Sequence, residues 1–180
     1  MKQICPNLFV DQHLLFMQIF SFPPISAPSS EVLVLGTMPG EMSLRLSQYY
    51  GHKGNHFWRI MFELHGVDFS ADYERRRHLL LENRVALWDV LKVCVREGSA
   101  DSAIAGEEAN DFAEFFSTHN EIRLVAFNGK NAAAFFDRHV GDGVKVPRII
   151  LPSTSPANGW VSYREKVEQW GAILNGANEV

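Results

Sequence analysis

The sequence predicts an α/β fold, a three-layer α/β/α sandwich around a central four-stranded parallel sheet. Three observations predict it. Four short apolar runs, Val32–Leu35, Val85–Asp89, Ile122–Phe127 and Val146–Leu151, are each followed or closed by a glycine, a polar residue or a proline turn. Helix-like segments lie between them, the order that right-handed crossovers convert into a parallel sheet covered on both faces. The length, 180 residues of which 46% are hydrophobic, suffices for one well-buried domain and is short for two.

Taken in order, residues 1–19 read as an N-terminal extension, and the domain runs from 20 to 180. Leu8–Phe22 is apolar but interrupted by Asp11, Gln12 and His13. It has neither the basic start nor the cleavage pattern of a signal peptide. Pro23-Pro24 and Ala27-Pro28-Ser29-Ser30 form a turn-rich entry to the first strand, Val32–Leu35, which stops at Gly36. A tight turn, Gly36-Thr37-Met38-Pro39-Gly40, leads into a polar and aromatic segment. From Asn55, apolar residues at 57, 58, 60, 61 and 64 give a helical spacing, with Asn55 placed to cap it. Asp72–Glu82 is a second helix. Val85–Asp89 is a strand ending on a carboxylate, followed by a loop, Gly98–Gly106. Asn110–His119 is a helix, Ile122–Phe127 a strand closed by Asn128-Gly129, and Asn131–His139 its helix. Gly141–Gly143 turns into the last strand, Val146–Leu151. After Pro152-Ser153-Thr154-Ser155-Pro156 the chain closes with a helix over Tyr163–Leu174.

The composition narrows the function. A net charge of −4 is wrong for a protein that coats nucleic acid non-specifically, but it allows an enzyme that grips a few phosphates. Two cysteines, Cys5 and Cys94, cannot make a Cys₄ zinc site or an iron–sulfur cluster and do not suggest a disulfide framework, so a reducing, cytoplasmic setting is expected. No apolar run reaches the ~20 residues of a membrane helix.

In a parallel sheet all carboxyl ends share one edge. That edge gathers Gly36–Gly40, Asp89, Asn128-Gly129 and Pro152–Asn158. It offers a glycine turn, one carboxylate, two amides and several hydroxyls. No nucleophile elbow, phosphate loop or dinucleotide fingerprint occurs. His52 and His56 are four apart, but Gly54 breaks the segment between them. No metal and no cofactor are therefore expected.

The blocks Leu35-Gly36-Thr37-Met38-Pro39-Gly40, Ser43-Leu44, Tyr49-Tyr50-Gly51-His52 and Asn55-His56-Phe57-Trp58 resemble the uracil-DNA glycosylase superfamily. Three more agree in order: Ala86–Leu91, Phe127–Ala132 and Leu151–Asn158. The resemblance spans about Phe20 to Leu174 and is narrowest to the hypoxanthine (deoxyinosine) branch. Two departures set the chain apart from other branches. Met38 stands where the mismatch-specific enzymes carry a water-placing asparagine, and Leu151 stands where classical uracil enzymes carry a histidine. The hypoxanthine branch lacks both groups.

The resemblance implies a base-excision repair DNA glycosylase, monomeric and without cofactor, whose partner is DNA containing a deaminated base, hypoxanthine first and uracil second. Asn55 is the expected catalytic residue, steering water to C1′ of a flipped nucleotide. Tyr50 would stack on the base. Asp89, an acceptor when ionised, would take the ring N–H of a deaminated base and repel the bare N1 of adenine. Gly36, Met38, Pro39, Gly40, His52 and Asn128 complete the expected substrate site. Ser43, Ser153, Ser155, Pro156 and Asn158 are expected at DNA.

Each of these residues has a plainer assignment. Asn55 is equally a helix cap, Tyr49 and Tyr50 core residues, Asp89 a cap or ion-pair partner, and Pro152–Asn158 an ordinary β-to-α turn. Two other functions remain beside the glycosylase: a non-catalytic nucleic-acid or nucleotide-binding module with the same fold, and a small nucleoside or nucleotide hydrolase.

Overall fold

The computed structural model describes residues 18–175, and most of the extension expected over 1–19 lies outside them. Gln18 and Ile19 belong to a strand, β1 (Gln18–Phe20). The further elements are β2 (Val32–Gly36), α1 (Glu41–Leu46), α2 (Phe57–Leu64), α3 (Tyr73–Glu82), β3 (Val85–Asp89), β4 (Leu91–Val95), β5 (Ala105–Ala109), α4 (Phe112–Thr118), β6 (Leu124–Asn128), α5 (Lys130–His139), β7 (Arg148–Leu151), α6 (Tyr163–Trp170) and α7 (Ala172–Asn175).

The predicted parallel sheet is present, in the order β3-β2-β6-β7. Its strands alternate side chains between two cores, as the pleat requires. Val32 and Val34 of β2, Val85 and Leu87 of β3, and Leu124 and Ala126 of β6 pack with α2, α3 and Trp170. Leu33, Leu35, Ala86, Val125 and Phe127 pack on the other face with Phe112 and Phe115 of α4 and Phe136 of α5. β2, β3 and β6, wetted on neither face, read as continuous apolar runs, whereas the edge strand β7 leaves Ile150 exposed. The outer edge of β3 is covered by Ile25, whose backbone exchanges hydrogen bonds with Leu87 (2.9 and 2.8 Å).

A second sheet lies beside the first and was not anticipated. It has three antiparallel strands in the order β1-β4-β5. The expected loop over Gly98–Gly106 gives way to strand at Ala105. β4 follows β3 after Val90 alone, so its alternation merges with the preceding run. β5, Ala105-Gly106-Glu107-Glu108-Ala109, has no apolar period and is held by its pairing with β4.

The helices keep their expected places with shifted ends. α2 begins at Phe57 rather than Asn55, and α4 at Phe112 rather than Asn110, because Asp111 caps it by accepting the Glu114 N–H. α6 opens on a capping box of Ser162 and Glu165, and the single closing helix divides at Gly171 into α6 and α7. Glu41–Leu46, within the polar and aromatic segment to which the sequence assigned no element, is a short helix.

Candidate active site

A cleft of about 900 Å³ opens along the carboxyl ends of the parallel strands. Register brings its floor together: Gly36 of β2 pairs with Asp89 of β3, and Asn128 of β6 with Leu151 of β7. Of the sequence-derived site residues, all but one line this cleft. Pro39 is the exception. It is buried behind the turn, where its carbonyl accepts from the Arg96 guanidinium.

Gly36 has no room for a side chain. A Cβ there would lie 2.5 Å from Asp89 Oδ1 and 2.9 Å from the Tyr50 hydroxyl, so glycine lets both groups close on one point. Asp89 is 3% exposed. Its Oδ2 accepts the Ser21 hydroxyl at 3.0 Å, while Oδ1 takes no hydrogen bond among the described residues. Burial raises its carboxyl to about 7. The Ser21 bond and the Arg96 cation pull it down, and the Asp101 anion pushes it up. Asp89 therefore changes charge near neutrality.

Tyr50 sits at a φ of 52°, a left-handed conformation that L side chains other than Asn and Asp seldom take, and its ring centroid is 4.5 Å from that of Phe57. Its hydroxyl is buried and without a partner. Burial first, and the Asp89 charge second, hold this phenol above its ordinary range, so it stays protonated. Tyr49, by contrast, is core: it is 3% exposed, its hydroxyl donates to the Phe22 carbonyl at 3.1 Å, and its own carbonyl accepts Trp58 Nε1–H.

Asn55 holds the start of α2 and also lines the cleft. Its Oδ1 accepts the Phe57 N–H at 2.9 Å, which fixes the turn into α2. One oxygen lone pair and the Nδ2 donors are left over. Asn128 is more fully committed. Its Oδ1 accepts the Thr154 N–H and its Nδ2 donates to Thr154 Oγ1, both at 2.8 Å. It ties the loop after β6 to the loop after β7.

The segment Ser153–Asn158 forms one rim. Asn158 is fastened three ways: its Nδ2 donates to the Ser153 carbonyl (3.0 Å), its N–H to the Ser155 carbonyl (3.0 Å), and its carbonyl accepts Lys166 Nζ (2.9 Å). Lys166 is 1% exposed, a buried lysine spent on shaping this loop. Two residues on, Trp160 stands free at 96% exposure. Ser43 is buried, and its Oγ accepts the Gly51 N–H at 3.1 Å. His52 lines the cleft from an exposed turn in which its Nδ1 accepts the Gly54 N–H. His56 does not line the cleft, and burial lowers its pKa.

The opposite rim was missed by sequence reasoning. It comes from the β4–β5 connection, which brings Ser99, Asp101 and Ser102 to the cleft. Asp101 Oδ2 accepts Thr37 Oγ1–H at 2.9 Å and Asn131 Nδ2–H at 3.2 Å. Behind it, Arg96 is fully buried, with Nη1 3.9 Å from Asp101 Oδ1. Arg96 directly follows β4 in a stretch that also carries Lys92 and Glu97, so nothing local singled it out or hinted at its partner. Arg45 and Lys130 place two cations on the cleft lining. Among the described residues, no group of three or more His, Cys, Asp or Glu gathers to hold a metal, and no helix is long and apolar enough to cross a membrane.

Comparison with known proteins agrees with this geometry. The family model "Uracil DNA glycosylase superfamily" matches residues 23–173. A hypoxanthine DNA glycosylase of Methanosarcina acetivorans is 38% identical over 154 residues, covering 85% of this chain and 96% of that protein. One from Methanosarcina barkeri is 42% identical over 140 residues, covering 76% and 86%. A solution NMR structure from Methanosarcina acetivorans, of a protein described as a candidate uracil DNA glycosylase, superposes with a TM-score of 0.78 at 36% identity over 91% of this chain and 100% of that one.

Proposed function

The chain belongs to the uracil DNA glycosylase superfamily, and from that premise we propose that it is a base-excision DNA glycosylase releasing a deaminated base, hypoxanthine first and uracil second. The observation that carries this reading is the convergence of Tyr50 and Asn55, from one loop, with Asp89, from a separate strand end, on one cleft. The high identity to two hypoxanthine DNA glycosylases supports the order of bases.

In the proposed reaction the nucleotide turns out of the duplex and its base enters over Gly36. Tyr50 stacks on it, which offsets part of the unstacking cost at about 1–3 kcal/mol per base. Asp89 Oδ1 accepts the N1–H of hypoxanthine or the N3–H of uracil. Adenine offers a lone pair at N1 and meets repulsion instead. The N-glycosidic bond breaks with the electron pair leaving on the base, and positive charge develops on the sugar. Asn55, through its remaining lone pair, orients a water toward C1′. A neutral amide suffices because a dissociative transition state asks little basicity of the nucleophile's partner. Water is the only co-substrate. Ser43, Ser153, Ser155, Arg45 and Lys130 face the phosphates, and the rim from Pro156 to Trp160 meets the space the base has left.

One observation favours a second reading. The Asn55 oxygen already caps α2, as it would in a binding module that had kept the fold and not the chemistry. Base release from inosine-, uracil- and xanthine-containing oligonucleotides separates the two. Wild type should release hypoxanthine, and Asn55→Ala should lower that rate at least about 100-fold while still binding the DNA. Binding without any base release by wild type would leave the module.

A further inference from the structure

Ser21 belongs to none of the blocks discussed above, and nothing in the proposed reaction uses it. It follows β1, its N–H is bound to the Lys92 carbonyl of β4 at 2.9 Å, and its hydroxyl reaches across the two sheets to Asp89 Oδ2 at 3.0 Å. The same hydroxyl lies 3.4 Å from a second acceptor, the carbonyl of Phe22. That carbonyl also receives Trp88 Nε1–H and the Tyr49 hydroxyl, both at 3.1 Å, and Tyr49 has an alternative in the Pro23 carbonyl at 3.3 Å. We propose that Ser21 is a positioning residue: with the Phe22 carbonyl it forms a hydrogen-bond relay behind Asp89 that keeps Oδ1, the oxygen beside Gly36, an acceptor whether the carboxyl is ionised or protonated.

The relay has two settings and conserves every donor. With Asp89 ionised, Ser21 Oγ–H donates to Oδ2. When Asp89 takes a proton, the proton goes to Oδ2, which then donates to Ser21 Oγ, and Ser21 turns its own hydrogen to the Phe22 carbonyl while Tyr49 shifts to that of Pro23. In both settings Oδ1 keeps its lone pairs toward the cleft. It lies where a Gly36 Cβ would be 2.5 Å away and has no other partner among the described residues. The device matters because the carboxyl titrates near 7, so both settings are populated around neutrality. Among the described residues Ser21 is the one that hydrogen-bonds Asp89 Oδ2. Arg96 acts as a cation near the carboxyl and Asp101 as an anion, the Tyr49 hydroxyl lies beside Ser21 and donates to the Phe22 carbonyl, and the Tyr50 hydroxyl has no partner.

The consequence is selectivity that survives acidification. A carboxyl protonated on Oδ1 would donate to the bare N1 of adenine and admit the normal base. One held as an acceptor on Oδ1 continues to reject it. This inference rests on the reading that Asp89 meets the base edge, and the experiment keeps the two apart. Dissociation constants are measured by fluorescence anisotropy for duplexes carrying uncleavable 2′-fluoro-inosine or 2′-fluoro-adenosine, at pH 5.5 and 8, with wild type, Ser21→Ala, Ser21→Thr and Asp89→Asn. Melting temperatures establish that each variant is folded.

Wild type should keep its inosine-over-adenosine ratio within threefold between the two pH values. Ser21→Ala should match wild type at pH 8 and lose at least tenfold in that ratio at pH 5.5, while Ser21→Thr should restore it. The kcat/KM profile for inosine release should also fall more steeply on its acid side in Ser21→Ala, since the carboxyl can then carry its proton on Oδ1, where it no longer accepts the ring N–H. An unchanged ratio for Ser21→Ala at pH 5.5, or a wild-type ratio that itself collapses there, overturns the relay. A ratio untouched in Asp89→Asn overturns the assignment of Asp89 instead.

Discussion

The two sheets of this protein do different work at the same cleft. The parallel sheet is buried on both faces along β2, β3 and β6, its strands pair in even register, and its carboxyl ends put Gly36, Asp89 and Asn128 on the floor. The antiparallel sheet has register shifts between Leu91 and Val93 and between Val93 and Val95, and its outer strand β5 is largely exposed. Yet its elements and their flanks supply Ser21, Arg96, Asp101 and Asn110, each of which fastens something at the floor. Asn110 Nδ2 donates to the carbonyls of Asp89 and Leu91 at 2.8 and 3.2 Å. On the proposed reading, Asp89 on the parallel sheet and the groups that fasten it from the antiparallel sheet therefore sit on separate scaffolds. Changes to the first should abolish chemistry, and changes to the second should detune it.

The sharpest division is expected at Asp89. Its folded pKa of about 7 lies above the ordinary carboxylate value, so between roughly pH 4 and 7 the native state holds a proton that the unfolded chain has released. Stability contributed by the protonated form is thus present below that window and is lost as the pH rises through it. Asp89→Asn removes the buried charge. At pH 8 it should stabilise the fold by a few kcal/mol, and at pH 4 by little, as followed by urea unfolding at both values. Hypoxanthine release at pH 8 should fall at least about tenfold in the same variant. A variant less stable at pH 8 than wild type would mean that Arg96 and Ser21 outweigh the burial cost, and the floor would then be a stabilising ion-pair site rather than a strained functional one.

Arg96 tests the other sheet. Its side chain is fully buried between the Pro39 and Gly98 carbonyls and the Asp101 carboxylate. Arg96→Met keeps the stem's volume and removes the donors, leaving the buried Pro39 carbonyl and the partly buried Gly98 carbonyl unpaired. A loss of about 2–3 kcal/mol in stability is expected, with KM for the oligonucleotide rising several-fold and kcat nearly unchanged, because the rim carrying Ser99 to Ser102 loosens while Asp89, Tyr50 and Asn55 stay in place. A collapse of kcat with KM intact would place Arg96 among the groups felt by the transition state and break the division between the sheets.

The same division explains what could be read from the sequence. β2, β3 and β6 were legible because strands dry on both faces must be apolar throughout, the edge strand β7 because Ile149-Ile150-Leu151 is an apolar run before a proline turn, and the ends because Gly36, Asp89 and Asn128-Gly129 interrupt those runs. Tyr50, Asn55, His52 and the Ser153–Asn158 rim were legible through motif resemblance, and the fold gathers them. The antiparallel sheet was not. β5 has no hydrophobic period because neighbours on one edge and salt bridges such as Arg138–Glu107 hold it, and neither leaves a local pattern. Pro39 was misjudged because a residue in a pocket-forming turn can face either way. Ser21 and Asp101 were invisible because a serine or an aspartate acquires its role from a partner 68 or 64 positions away, Asp89 in one case and Thr37 in the other.

The finest test falls on the residue that straddles the division. Asn128 stands at a parallel strand end, where the floor groups are, yet its amide is bound on both sides to Thr154, as a fastening group would be. Thr154→Val retains the shape and the backbone N–H that reaches Asn128 Oδ1, and removes only the hydroxyl that accepts Nδ2–H. Thr154 is wholly buried, so one neutral hydrogen bond is lost and stability should fall by about 1 kcal/mol. If Asn128 is a strut, kcat/KM for inosine release should drop only a few-fold, mostly through KM, as the rim from Ser153 to Asn158 gains freedom. If the freed Nδ2–H instead turns to the base, the preference for hypoxanthine over uracil should shift while the melting temperature barely moves. That outcome would transfer Asn128 from the groups that hold the site to those that read the substrate.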